Sequence, residues 1–286
     1  FARTQTSSSH HVRFSPLPKL VKATLGIFLV LATVAPLPFA IVLPGQAQDI
    51  FKGVITIKDI ETFPATGRID LMSIRVTNPD AWISGPEIIY SWFSSERAVY
   101  PKSAVYPPGT STEEENKQAK ADMVGSQDKA ITAAINYLQS HSEILASSAS
   151  WKGKEPDLEG LSAADLKKVN TRVDALDPKK ISFKVDATGG PSGGLVFSIG
   201  LIELLTEVDL MQGRHIAGTG TIDSRGVVGP IGGINEKILS AKKVGATVFF
   251  APVGNAEEIS NVPEGIKVIT VATVAQAVSY LERTRK

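Results

Sequence analysis

Between Ile181 and Leu205 the chain runs from strand pattern through a glycine-rich turn into helix pattern, and this unit limits the folds open to it. Ile181-Ser182-Phe183-Lys184-Val185 alternates apolar and polar residues, as a half-buried strand does. Leu195, Ile199, Ile202 and Leu205 recur at helical spacing. Between them, Gly189-Gly190-Pro191-Ser192-Gly193-Gly194 must turn the chain tightly, which glycine permits because its backbone angles are least restricted. A serine there sits at a helix N-terminus, among unpaired N–H groups and the positive end of the helix dipole. Those groups suit an alkoxide on Ser192 or an oxyanion beside it, so Ser192 is the candidate nucleophile. Two other readings compete. Gly-Pro-Ser-Gly is ordinary turn and capping chemistry, and glycine-rich helix starts also cradle phosphate. The GxxxxGK[ST] spacing is missing, however, and no GxGxxG follows a strand.

A serine nucleophile needs a base. Gly213 to Asp223 reads as one strand, Ser224-Arg225-Gly226 as a turn, and Gly229-Pro230-Ile231-Gly232-Gly233 leads into a helix from Ile234 to Val244 that Gly245 ends. The apolar stripe of that helix is Ile234, Ile238, Ala241 and Val244, and Lys237 falls on it. Desolvation and the helix start would lower the pKa of such a lysine, leaving the neutral amine that a Ser–Lys dyad requires. The bland alternative is a lysine snorkelling to solvent. His215 and Asp223 offer a rival His–Asp pair, but along one strand about 27 Å would separate them. His215 is therefore read as structural. His141 has no partner pattern, and His10 and His11 are too few for a metal site.

Composition removes further classes. A net charge of +1 with 21% charged residues gives no electrostatic case for nucleic acid. The absence of cysteine excludes disulfides, thiol catalysis and cysteine metal sites. No metal and no cofactor are expected. At the N-terminal end, residues 1–22 form a basic tail with Arg3, Arg13, Lys19 and Lys22. Ala23 to Leu43 then carries no charge, which predicts a transmembrane anchor over 23–43 with the tail in the cytoplasm and the remainder outside. Pro36 and Pro38 weigh against a continuous helix. A signal sequence cleaved near Gly45-Gln46-Ala47 is the competing reading and also exports the remainder.

Residues 49–141 are expected to form an N-terminal extracytoplasmic region packing on a protease domain. Within it, Gly53–Ile57 and Gly67–Val76 read as two strands of an early sheet. Pro79, Gly85-Pro86 and Pro107-Pro108-Gly109 break the following chain into short pieces. Trp82, Tyr90, Trp92 and Phe93 are expected to cover the core. Thr112-Glu113-Glu114-Glu115 opens a long helix whose apolar positions are Ala119, Met123, Ala130, Ala133, Ala134 and Leu138. Residues 142–178 read as a linker with one short helix at 163–173. Ser148, Ser150 and Lys152 make a second hydroxyl–lysine combination only on paper.

Three motifs together resemble a known family. Gly190-Pro191-Ser192-Gly193-Gly194, Gly218-Thr219-Gly220-Thr221-Ile222 and Gly229-Pro230-Ile231-Gly232-Gly233-Ile234-Asn235-Glu236-Lys237 are similar, in order and spacing, to the proteolytic domain of Lon-type serine peptidases. The strand-like Gly245–Pro252 fits the same pattern. The resemblance covers roughly residues 115–286 and implies a catalytic core over 179–286. It implies catalytic Ser192 and Lys237, with Thr219 orienting the lysine. Gly190, Pro191 and Gly193 would supply the turn backbone around the oxyanion, held by the N–H groups of Ser192 and Gly193. The nearest branch is the exported, membrane-anchored kind that joins a PDZ domain to a Lon-type domain. Residues 139–178 are too short for a PDZ domain, and no Walker motif for an ATPase is present in this chain. The acid that classical Lon enzymes carry three positions before the serine is Gly189 here.

The expected fold is thus α/β (α+β), a mixed sheet carrying the serine helix and the lysine helix side by side, preceded by one transmembrane helix. The expected function is ATP-independent, serine-type cleavage of proteins or peptides outside the cytoplasm. Membrane contact would come through the N-terminal helix, and homo-oligomerisation is left open. A catalytically silent scaffold of the same fold, and a phosphate- or nucleotide-binding protein using the glycine-rich turn, are the alternatives.

Overall fold

The computed structural model describes residues 17–146, 161–185 and 189–284. Helix α1 (Lys19–Val34) has no buried residue and exposes apolar side chains such as Leu25, Phe28 and Leu31. At 16 residues it is about 24 Å long, short of the roughly 30 Å of a bilayer core. Among the described residues no helix is long and apolar enough to cross a membrane, so the helical span expected over 23–43 is corrected. Pro36 and Pro38 lack the amide that would carry the helix forward. The rest of the uncharged run becomes strand β1 (Phe39–Asp49), whose Ala40, Ile41 and Val42 are buried.

Strand β1 pairs antiparallel with β3 (Arg68–Val76) on one side and β4 (Ala98–Pro101) on the other. Strand β3 then pairs in parallel with β6 (His215–Gly218), β6 with β9 (Val248–Pro252), and β9 with β10 (Lys267–Val271). The result is a mixed six-stranded sheet, ordered β10-β9-β6-β3-β1-β4. The two early strands expected in one sheet are separated: β2 (Ile55–Ile57) pairs with β5 (Ile181–Phe183) in a small sheet of its own. The strand expected from Gly213 to Asp223 is also broken. It stops at Gly218 and resumes as β7 (Thr221–Ile222), which pairs with β8 (Val228–Gly229).

Alternation along the central strands divides the interior in two. Leu71, Ile216 and Phe250 face a core with α4 (Thr112–Ser140), α6 (Gly194–Leu205) and α8 (Val274–Arg283). Their neighbours Met72, Ala217 and Phe249 face the opposite core, covered by α7 (Ile234–Lys243). The serine helix α6 and the lysine helix α7 therefore lie on opposite faces of the sheet, which corrects the side-by-side expectation. Period-2 strands present each face to a different layer, and a helix follows whichever face its own apolar stripe matches.

Helix α4 begins with a capping box: the Glu114 N–H donates to Ser111 Oγ at 3.2 Å and the Ser111 N–H donates to the Glu114 carboxylate at 3.0 Å. Its buried face holds Met123, Ala130, Ala133, Ala134 and Leu138, as the periodicity predicts, and also Ser126, Ile131 and Tyr137. Helix α5 (Ala163–Ala175) extends two residues beyond the expected short helix. The proline-broken region contains α2 (Gly85–Phe93), with Pro86 in its first turn, and α3 (Lys102–Val105). The aromatic residues there do not cover the core. Trp82 is 63%, Tyr90 61%, Trp92 65% and Phe93 88% exposed, because α2 buries only Ile88 and Ser91.

Candidate active site

Helix α4 and the end of β6 hold the serine turn from two sides. On one, the Gly190 N–H donates to the Ala119 carbonyl at 2.8 Å and Ser126 Oγ donates to the Pro191 carbonyl at 2.9 Å. On the other, the Gly220 N–H donates to the Ser192 carbonyl at 2.8 Å and the Leu195 N–H donates to the Gly220 carbonyl at 3.1 Å. Gly190 has φ +92°, a region disfavoured for residues with a Cβ, so the expected glycine turn is a real backbone requirement. Gly193 caps α6, and Ser192 stands half-buried just before it.

The break in the expected 213–223 strand creates the second part of the site. After Gly218 the chain leaves the ladder: the Thr219 N–H donates to the Phe250 carbonyl at 3.0 Å, while Gly220 turns to the serine. Thr219 is fully buried, and its hydroxyl has two partners. It donates to the Ser192 carbonyl at 3.1 Å and accepts from Lys237 Nζ at 3.1 Å. Lys237 comes from the first turns of α7, on the stripe with Ile234, Ile238 and Ala241, and is only 2% exposed. Burial pushes its pKa down to about 7, against a smaller upward pull from neighbouring Glu236. The snorkelling alternative is thereby removed. Among the described residues the Ser192 hydroxyl makes no hydrogen bond, so Lys237 is linked to the serine through Thr219. Contacts of this kind commonly close only when substrate is bound.

The rival His–Asp arrangement does not form. His215 Nε2 is 2.8 Å from Asp70 Oδ2, and Arg68 Nε donates to the other oxygen of that carboxylate at 2.6 Å. Asp223 instead accepts from the N–H groups of Arg225 and Val227, both at 2.9 Å, and closes a turn. His141 stacks on Tyr137 with ring centroids 4.3 Å apart. Ser148, Ser150, Lys152, His10 and His11 lie outside the described residues, as do positions 186–188 of the serine turn.

Comparison with known proteins adds a decisive observation. Residues 164–283 match the Lon protease (S16) C-terminal proteolytic domain. That stretch of the chain is therefore similar to the proteolytic domain of Lon proteases. It is 30% identical over 95 residues to the Lon protease of Neorickettsia sennetsu, covering 32% of this chain and 11% of that protein. It is 41% identical over 75 residues to the Lon protease of Roseiflexus castenholzii, covering 26% and 9%. With Lon protease 1 of Bacillus subtilis it is 38% identical over 78 residues, covering 27% and 10%. The matched part thus spans about a tenth of these relatives.

The match to the Lon-type domain begins at 164 rather than near 115, yet elements before it complete the site. Helix α4 grips the serine turn, and β3 pairs with β6, the strand that leads directly into Thr219. Gly189 also acquires a physical reason: a Cβ there would stand 2.5 Å from the Ala119 Cβ of α4, so an acid at this position cannot be accommodated without moving that helix. Three supporting residues escaped the sequence reading. Ser126 and Asp70 are polar residues at otherwise apolar positions, a signal visible only once the periodicity of their elements is drawn. Asn255 brackets the loop before α7, its side chain accepting from the Ile231 N–H at 2.9 Å and donating to the Ile231 carbonyl at 2.8 Å. It carries no pattern at all.

Proposed function

We propose that this chain is a serine endopeptidase with a Ser192–Lys237 dyad, cleaving peptide bonds of protein substrates through an acyl-enzyme. The observation that carries the reading is the buried Lys237 amine, titrating near neutrality and hydrogen-bonded to the threonine that also binds the Ser192 backbone. A neutral amine has two N–H bonds and one lone pair. Thr219 accepts one N–H while its own proton goes to the Ser192 carbonyl, which leaves the lone pair for the Ser192 hydroxyl. Lys237 takes that proton as Ser192 Oγ attacks the scissile carbonyl, and returns it to the departing amine as the C–N bond breaks. Water, deprotonated by the same amine, then hydrolyses the ester. The N–H groups of Ser192 and Gly193, which donate to no acceptor among the described residues, would receive the oxyanion.

Two further parts of the proposal rest on sequence. ATP independence is supported by the missing Walker spacing in this chain. Export from the cytoplasm is supported by Lys19 and Lys22 ahead of the uncharged run, although no helix among the described residues is long and apolar enough to cross a membrane. Fractionation of expressing cells tests the second, and recovery of the protein only in the cytoplasm would remove it.

The central experiment is cleavage of a peptide library by the full chain without ATP, beside Ser192→Ala and Lys237→Ala. Loss of cleavage in both variants, with circular dichroism unchanged, supports the dyad. Equal cleavage by all three removes it. Cleavage only with added ATP removes the ATP-independent part.

A further inference from the structure

Ser126 belongs to none of the motifs that led to the dyad. It lies on α4, is 2% exposed, and its hydroxyl donates to the Pro191 carbonyl at 2.9 Å. A peptide unit is planar and trans, so the carbonyl of one residue and the N–H of the next point in opposite directions. Fixing the Pro191 carbonyl against α4 therefore fixes the Ser192 N–H on the side away from α4. The next peptide unit is fixed in the same way, because the Ser192 carbonyl accepts from the Gly220 N–H at 2.8 Å and from Thr219 Oγ1 at 3.1 Å. The two consecutive N–H groups, of Ser192 and Gly193, are thus oriented by bonds made at the opposite ends of their own peptide units.

We propose that Ser126 is a positioning residue that aims the Ser192 N–H at the oxyanion of the tetrahedral intermediate. This rests on the serine-peptidase reading above. The two carbonyls are not held equally. The Ser192 carbonyl has both a backbone and a side-chain donor, whereas among the described residues the side-chain donor that anchors the Pro191 carbonyl to α4 is the Ser126 hydroxyl. Pro191 is itself exposed, so once that hydroxyl is gone its carbonyl can turn to water and the plane can flip, taking the Ser192 N–H out of place. The lysine would be untouched, since Ser126 does not contact it. Loss of Ser126 should accordingly weaken transition-state binding while leaving both substrate binding and the basicity of Lys237 unchanged.

The test uses the full chain as wild type, Ser126→Ala, Ser126→Thr and, as a packing control, Ser198→Ala. Ser198 is an equally buried hydroxyl that donates to the Ala130 carbonyl and to that of Gly194, the first residue of α6, and not to the carbonyl of either peptide unit that joins Ser192 to its neighbours. For Ser126→Ala the expectation is a kcat lower by roughly 10- to 100-fold, since one oxyanion donor is disturbed and not deleted. KM should stay within about twofold, affinity for a peptide boronate should fall by the same factor as kcat, and the pH midpoint of kcat/KM should stay at its wild-type position. Ser126→Thr should restore kcat, and Ser198→Ala should keep it. If the alanine variant does not fold, Ser126→Cys, of similar shape and with a weak donor, gives the same readings. An active wild type whose Ser126→Ala and Ser126→Cys forms keep full kcat overturns this inference alone. So does a loss of kcat accompanied by a shifted pH midpoint, or one matched by Ser198→Ala. A folded wild type that neither cleaves peptides nor binds the boronate overturns the serine-peptidase reading and this inference with it.

Discussion

Thr219 Oγ1 and Lys237 Nζ stand 3.1 Å apart, both buried, although one ends a strand and the other begins a helix on the far side of the sheet. The threonine is the only described partner of the amine, and it has a second bond to the Ser192 carbonyl. Replacing it with valine keeps the shape but leaves an N–H of Lys237 unpaired in an apolar interior. We expect Thr219→Val to lower kcat by about 10- to 100-fold and to cost roughly 1–3 kcal/mol of stability. Thr219→Ser should recover most of both. Peptide kinetics and urea unfolding on the three forms check this.

If Lys237 is the base, as proposed, its lowered pKa would set the pH range of activity. Only the neutral amine accepts the serine proton, so kcat/KM should climb about tenfold per pH unit below the Lys237 pKa and level off above about 7. A profile measured in a series of overlapping buffers checks the midpoint, and a flat profile across neutrality would contradict Lys237 as the base.

Stability should move in a related way. The folded pKa of about 7 lies below the ordinary 10.5, so between those values the unfolded chain binds the extra proton and folding becomes more favourable as pH rises. Lys237→Met removes the buried amine and this dependence with it. The inactive variant should be more stable than wild type at neutral pH, by roughly 1–3 kcal/mol, with a flatter stability curve up to alkaline pH. Urea midpoints across that range give the answer.

The contact between α4 and the serine turn predicts a size limit at position 189. Gly189→Asp places an acid three positions before Ser192, but its Cβ would meet the Ala119 Cβ at 2.5 Å. A loss of roughly 1–3 kcal/mol is expected, and Ala119→Gly in the same chain should return part of it. Thermal melts of the single and double variants distinguish this from a purely electrostatic effect, which Ala119→Gly would leave unrelieved.

Helices α4, α6 and α7 and strand β9 were legible because each carries its own local signal: a capping box, glycine stops, or an apolar stripe at helical spacing. Ser192 and Lys237 could be singled out for the same reason, since Lys237 interrupts a stripe and Ser192 sits among glycines. Other features depended on distant chain. The uncharged run at 23–43 looks alike whether it enters lipid or supplies a buried strand, and only its pairing with β3 and β4 distinguishes the two. His215 finds Asp70 from an adjacent strand 145 residues earlier, where no local spacing could indicate it. The aromatic residues of α2 misled because hydrophobicity favours burial only where a core is within reach, and that short helix has one narrow inward face.

The parallel pairing of β3 with β6 also bears on how the protein comes into being. Strands β1, β3 and β4 are made early and can pair among themselves, but the other edge of β3 waits for residues synthesised about 145 positions later. At roughly 5–20 residues per second, a ribosome leaves that edge open for about 7–30 s. Its apolar Ile69, Leu71 and Met72 are free throughout that interval to pair with another nascent chain. The later strands β6, β9 and β10 must close the sheet, and closing it also brings Thr219 to the serine turn. Closing the sheet and assembling the candidate site are therefore one event: a chain stalled before β6 has neither a complete sheet nor the Thr219–Lys237 contact beside Ser192.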